Sequence, residues 1–393
     1  MPASSPRLSF LLAGLAAIGP FAIDTYLPAF HAMAAALSAS QLEVQQTLTI
    51  YMATFAAMAL WHGALSDRFG RRKVIIVATA LFALASLVCA AARSIEWLWL
   101  GRGLQGLAGG AGMIVGRAVI RDVFDGAQAQ RAMSRVMMIF GIAPAVAPMV
   151  GGALLALAGW RSIFVFLALF AAVLTWLTWR FLPETLAPEA RHSLHPVKLG
   201  RAYLKVVASV AFLLLVGATA MNFNGFFIYV LSAPVFLMDH LGLAETQFAW
   251  LFIPAVAGLT FGSMLSGRVA GRWSARRTIH AGFAIMLVAA AINIGHASLM
   301  APGLPWSVLP VALYNCGMAL AMPSLTLLAL DLFPDRRGLA SSCQSFAQVG
   351  TNAVTAGLVA PLLWGSPLSL AIGMALFMLG GLALFIVWGR RAA

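Results

Sequence analysis

With 62% hydrophobic and only 9% charged residues in 393, the chain cannot cover a water-facing surface, for which soluble domains use about 25% charged residues. That excludes an ordinary soluble enzyme and leaves a lipid-facing protein. The formal charge of +13 would suit a nucleic-acid partner, but its placement along the chain gives another reason for it.

At about 20 residues per crossing, the length admits roughly a dozen spans. The first apolar run, 8–32, comes after a short polar start and holds Asp24, Pro20 and Pro28. It is span-length, so it reads as a permanent span and not a cleaved leader. Further runs lie at 43–65, 74–92, 95–117, 133–157 and 161–181. A polar connector from Pro183 to Lys205 then divides the chain near its middle. The second half repeats the plan at 206–236, 246–266, 277–297, 306–330, 339–362 and 367–388. The expected architecture is an all-α membrane protein with twelve transmembrane helices: a six-helix bundle over 1–182, a cytoplasmic loop over 183–205 and a second six-helix bundle over 206–393. Cys89, Cys316 and Cys343 all fall in apolar runs and read as reduced core residues.

An even number of spans puts both termini on one side. That side holds 22 of the 25 Lys and Arg residues, the opposite side holds Arg93 and Arg161, and Arg102 lies within a span. The asymmetry makes the termini cytoplasmic. It also accounts for the basic charge, so no nucleic-acid partner is expected. The halves echo each other: Asp122-Val-Phe-Asp125 followed by Gly141 returns as Asp331-Leu-Phe-Pro334 followed by Gly350, and Ser66-Asp67-Arg68 returns as Ser266-Gly267-Arg268. Paired six-span repeats are a known transporter plan with binding near the midplane.

The loop after the second span reads Gly63-Ala-Leu-Ser-Asp67-Arg68-Phe-Gly70-Arg71-Arg72-Lys73 and resembles the loop motif of the major facilitator superfamily. Arg102-Gly-Leu-Gln105-Gly106 resembles the membrane-embedded Arg motif of that superfamily. The stretch from Ala143 to Gly152, with Pro144, Pro148, Gly151 and Gly152, is similar to the Pro/Gly motif of drug–proton antiporters, although Ala147 stands where Gly is usual. Three further segments resemble the Bcr/CflA group of drug exporters: Ile23-Asp24-Thr-Tyr26-Leu-Pro28-Ala, Arg117 to Phe124, and Leu182-Pro-Glu-Thr-Leu. The resemblance implies proton-driven efflux of small drug-like molecules across a bacterial inner membrane by alternating access. It implies a monomer in the bilayer whose partners are substrate and protons. No cofactor is expected, since the proton gradient supplies the energy.

Asp24 is the one acid well inside an expected span. A carboxylate in hydrocarbon is costly, so it is buried in the bundle, partnered or protonated. By helix rise, Asp24 lies roughly 12 Å and Arg102 roughly 10 Å from the outer ends of their spans. A shared cavity and a role in proton coupling are expected for the pair. The plainer alternatives are an acid at the outer headgroups and an Arg that only bonds backbone carbonyls. Asp67, Arg71 and Asp122, with Gly63, Arg68 and Gly70, form an expected cytoplasmic latch, against the alternative of a solvated basic loop. The prolines and glycines of the fifth span suggest a bend and a tight helix interface. Candidates for the substrate cavity are Tyr26, Gln105, Asn222, Asn224, Tyr229, Tyr314, Asn315, Gln344 and Gln348, some of which are helix–helix glue. The seven histidines show no metal-ligand spacing, and no phosphate-binding loop or hydrolytic triad is present. The same features also fit an exporter or importer of a native metabolite such as an amino acid or sugar. They fit a channel or a sensor less well.

Overall fold

The computed structural model describes residues 6–124, 126–187, 196–333 and 337–391. Pro188, Arg191, His192 and His195 of the connector lie outside them, as do Asp125 and Pro334 of the repeat echo. Among the described residues all regular structure is helical, and they divide into two compact units, Met1–Pro196 and Val197–Ala393.

In the first unit the opening span is in two pieces. Helix α1 (Pro6–Asp24) stops at Asp24, a short 3-10 turn covers Leu27–Ala29, and α2 (Phe30–Ala36) completes the crossing. Pro28 has no N–H to give the Asp24 carbonyl four residues back, so the helix cannot run through. Helix α3 (Gln41–Phe69) starts at a capping box: Glu43 N donates to Ser40 Oγ (3.1 Å) and Ser40 N to Glu43 Oε2 (2.7 Å). Helix α4 (Arg71–Ala90) begins after Gly70, whose φ of +95° favours glycine. The fourth crossing is also broken, into α5 (Ile95–Gly109) and α6 (Ala111–Val123), at the Gly109-Gly110 pair. Helices α7 (Gly126–Ala158) and α8 (Arg161–Phe181) complete the unit.

The connector expected to be a loop folds at its end into α9 (Pro196–Val207). In the second unit α10 (Val210–Leu231) ends at Ser232, and Pro234 leads into a π turn over Val235–His240. Pro28 and Phe30 of the first span thus recur as Pro234 and Phe236. Next are helices α11 (Ala249–Val269), α12 (Ala275–Leu299) and α13 (Leu309–Asp331). Then come α14 (Arg337–Val354), a π turn, the single-turn α15 (Ala360–Leu362) and α16 (Pro367–Arg391).

Among the described residues 11 segments are long and apolar enough to cross a membrane. The expected crossing at 339–362 is not one of them. It coincides with α14 and α15, and the polar residues of α14, among them Gln344, Gln348, Thr351 and Asn352, lower its apolar character. Lipid tails are as apolar as Leu, so close packing is what joins such helices. Accordingly α3 meets α5 where a side chain at Gly106 would strike the Tyr51 carbonyl, and α11 meets α13 where Gly258 and Gly262 face the carbonyls of Ala312 and Cys316. Leu84, Trp97 and Leu169 point outward, as a lipid-facing surface requires. All three cysteines are buried and free.

Candidate functional site

Arg102 on α5 is the hub of the first unit. It is fully buried and cannot shed its proton, so it needs partners. Its Nη1 donates to the carbonyl of Ala22 on α1 (3.0 Å) and to Oε1 of Gln105 one turn along (2.7 Å). Gln105 Nε2 donates to Ser86 Oγ (2.7 Å), and Ser86 donates to the Phe82 carbonyl (2.7 Å). The chain ties α1, α5 and α4 together. The rings of Tyr26 and Tyr51 cover the guanidinium, each centroid 4.4 Å from Cζ, a geometry worth up to about 2 kcal/mol when desolvated. Thr47 Oγ1 donates to the Val44 carbonyl (2.6 Å), which leaves its oxygen to accept from the Tyr26 hydroxyl (3.1 Å).

Asp24 ends α1 two residues beyond Ala22. It is 4% exposed within the protein. Among the described residues no hydrogen bond or ion pair joins its carboxyl to another side chain, and Arg102 is bonded to the backbone beside it. The Ala22 carbonyl is the backbone partner that a purely structural Arg102 needs. Yet Arg102 Nε and Nη2 remain buried without a partner, as do Tyr51 Oη and Thr25 Oγ1. A buried charged donor left unpaired is expensive, so part of this cluster is unspent.

The Pro/Gly segment lies against the same break. Helix α7 runs on through Pro144 and Pro148, and Gly151 abuts the Thr25 carbonyl so closely that no side chain fits. Ala147, Pro148, Gly151 and Gly152 are buried, and Pro144 is half-buried.

At the opposite end of the α3–α4 pair, Arg71 is buried and gathers three groups. It forms an ion pair with Asp67, donates Nε to Asp122 Oδ2 (3.1 Å) and donates Nη1 to Ser66 Oγ (2.6 Å). Glu184, which sequence reasoning does not single out, is bound into the same cluster: its Oε1 accepts from Arg71 N (2.8 Å), capping α4, and from Leu186 N (3.2 Å). Thr185 Oγ1 donates to Asp122 Oδ2 (2.9 Å). Gly70 is needed because a side chain there would overlap the Glu184 carboxyl. Arg68 stays outside the cluster, exposed over the Phe69 ring at 5.3 Å, and open space faces Gly63. His62 is buried with Nδ1 unpartnered, facing the break at Gly110.

The cavity candidates separate. Tyr26 and Gln105 belong to the Arg102 cluster. In the second unit Asn224 Nδ2 donates to Asn352 Oδ1 (2.9 Å), which also accepts from Gln348 Nε2 (3.3 Å), an amide chain from α10 to α14. Gln344 donates to Thr326 Oγ1 (3.0 Å). Gln344 and Gln348 are half-buried. Tyr314 donates to the Asn222 carbonyl (3.0 Å) and Asn315 to the Ala255 carbonyl (3.1 Å). Tyr229 accepts from Asn293 (2.7 Å), a partner that no motif in the sequence marks. These last are buried and join neighbouring helices, although Asn315 Oδ1 is buried without a partner. The Asn222 amide is buried with both polar atoms unpartnered. Among the described residues no three His, Cys, Asp or Glu side chains are placed to hold a metal ion.

Apolar helices in two units, with buried polar clusters at their breaks, define a multi-pass membrane transporter. The sequence profile of the Major Facilitator Superfamily matches residues 10–356, and the chain belongs to that superfamily. It is 33% identical over 357 residues to the uncharacterized MFS-type transporter YdgK of Bacillus subtilis (strain 168), covering 90% of this chain and 88% of that one. It is 29% identical over 387 residues to Multidrug resistance protein D of Escherichia coli (strain K12), covering 97% and 95%. It is 28% identical over 355 residues to the bicyclomycin resistance protein homolog of Haemophilus influenzae (strain ATCC 51907 / DSM 11121 / KW20 / Rd), covering 88% and 87%. A bacterial homolog of the human lysosomal transporter Spinster, solved inward-facing and occupied, shares the fold with a TM-score of 0.76 at 18% identity, covering 99% of this chain and 97% of that chain.

Proposed function

We propose that this chain is a proton-coupled exporter of small, amphipathic, drug-like molecules, working by alternating access in a bacterial inner membrane with both termini cytoplasmic. The observation that carries the reading is Asp24: a buried carboxyl with no side-chain partner among the described residues, set at a helix break two residues beyond Ala22, whose carbonyl accepts from Arg102. A lone carboxylate in such a place is costly, and a proton is the counter-charge that can come and go. Arg102 is held by Nη1, and its unpartnered Nε and Nη2 are the donors an ionised Asp24 would take in another state. Charge-assisted bonds of this kind are about twice as strong as neutral ones, so the exchange would link protonation to conformation. The cluster around Arg71 then acts as a latch for one of the states. Relatives named for multidrug and bicyclomycin resistance support export of drug-like cargo.

The test is a broad substrate panel on purified protein in proteoliposomes with an imposed pH step. Gradient-dependent movement of one or more amphipathic compounds supports the reading. Movement confined to a single nutrient such as an amino acid or sugar replaces it with a metabolite transporter.

A further inference from the structure

The chain between the two units ends in a helix of distinctive composition. Helix α9 carries Lys198, Arg201 and Lys205 and no acid. These bases recur at spacings of three and four residues, which share one face of a helix. Val206 is buried, whereas Leu204 is 68% and Val207 44% exposed. Arg201 and Lys205 are exposed, and no described helix packs along the length of α9.

The level of α9 is set by its C-terminal neighbour, the membrane-crossing helix α10. Only Ala208 and Ser209 separate the two. Ala208 N donates to the Leu204 carbonyl (2.8 Å) and Ser209 N to the Val206 carbonyl (3.2 Å), closing the last turn. Ser209 then adopts an extended conformation (φ −77°, ψ 107°) and caps α10 through Phe212 N. The helical path is interrupted there, so α9 does not simply prolong α10 into water. A two-residue link reaches about 7 Å at most. The last turn of α9, with Leu204 and Val207, therefore lies where hydrocarbon meets headgroups.

Exposed apolar side chains beside a row of bases, at that depth, match the chemistry of an interface: methyl groups toward the acyl chains, ammonium and guanidinium groups toward phosphates. We propose that α9 is an interfacial helix that binds anionic phospholipid headgroups of the leaflet in which α10 begins. A zwitterionic headgroup offers a phosphate but no net charge. Three bases without an acid select the anionic lipid, at roughly a fivefold preference per base.

The experiment places a nitroxide on Leu204→Cys in the full chain, in nanodiscs of phosphatidylcholine with or without phosphatidylglycerol. Collision with oxygen, which concentrates in lipid, is compared with collision with a water-soluble nickel chelate. The native cysteines are buried, so the unsubstituted chain gives the labelling background. With phosphatidylglycerol, oxygen contact should dominate. Replacing Lys198, Arg201 and Lys205 together by Gln, in protein of unchanged melting temperature, should shift contact toward nickel, as should phosphatidylcholine alone. Three results overturn the proposal: nickel contact dominant in both lipids, a label shielded from both reagents, or a depth indifferent to phosphatidylglycerol and to the Gln substitutions.

Discussion

Gly151 of α7 lies directly against the backbone carbonyl of Thr25, the residue after Asp24, with no room between them for a methyl group. The Pro/Gly segment of the fifth crossing and the acid of the first thus meet at one point, the place where Pro28 has already opened the helix. A change in the packing of α7 must therefore be felt at the turn that carries Asp24.

Gly151→Ala should force α7 away from α1. Overpacking of this kind costs about 1–3 kcal/mol, so the melting temperature should fall and transport with it. Gly141, on the same helix, faces open space, and Gly141→Ala should leave the melting temperature unchanged or slightly raised. Parallel thermal melts of the two variants in detergent check the contrast.

The two tyrosines around Arg102 should respond differently to loss of their hydroxyls. Tyr26 bonds Thr47, whereas Tyr51 Oη has no partner. Tyr26→Phe should cost about 1 kcal/mol, while Tyr51→Phe keeps the ring over the guanidinium and should be close to neutral. Arg102→Lys should be worse than either, since an ammonium cannot hold Ala22 and Gln105 while lying flat between two rings. Chemical denaturation or thermal melts of the three variants report the order.

Glu184 caps α4 and fills the space that Gly70 leaves. Glu184→Ala should cost about 0.5–2 kcal/mol, as lost helix caps do, while Glu184→Gln keeps an acceptor and should recover part of it. Gly70→Ala should be at least as damaging, because φ of +95° and the carboxyl both oppose a side chain. If the cluster is a latch, these variants should also slow transport more than they weaken substrate binding, which separate rate and affinity measurements would show.

The helical class and the superfamily are legible from the apolar runs and from the loop at Gly63–Lys73, because both signals are local. The Asp67, Arg71 and Asp122 cluster is legible for the same reason: its members sit in recognisable motifs. Glu184 is not, since it meets Arg71 across 113 residues of sequence, although the Leu182-Pro-Glu-Thr-Leu segment stands out. Ser86 and Asn293 matter only through tertiary partners, which no spacing reveals. The break at Asp24 has a visible cause in Pro28, yet the run of apolar residues around it reads as one continuous span. The polar stripe of α14 marks the amide chain to Asn224, and the same polarity keeps that segment from counting as an evident crossing. Arg68 and Gly63 come in with the motif; Arg68 lies exposed over the Phe69 ring, and open space faces Gly63.

The most direct test of the account is substrate movement by Asp24→Asn in proteoliposomes, measured both as exchange at equal pH and as transport driven by a pH step. Asn preserves the shape of the side chain but cannot carry a proton, so exchange should survive and pH-driven transport should vanish. Transport by the variant that still tracks the imposed pH step would contradict the account.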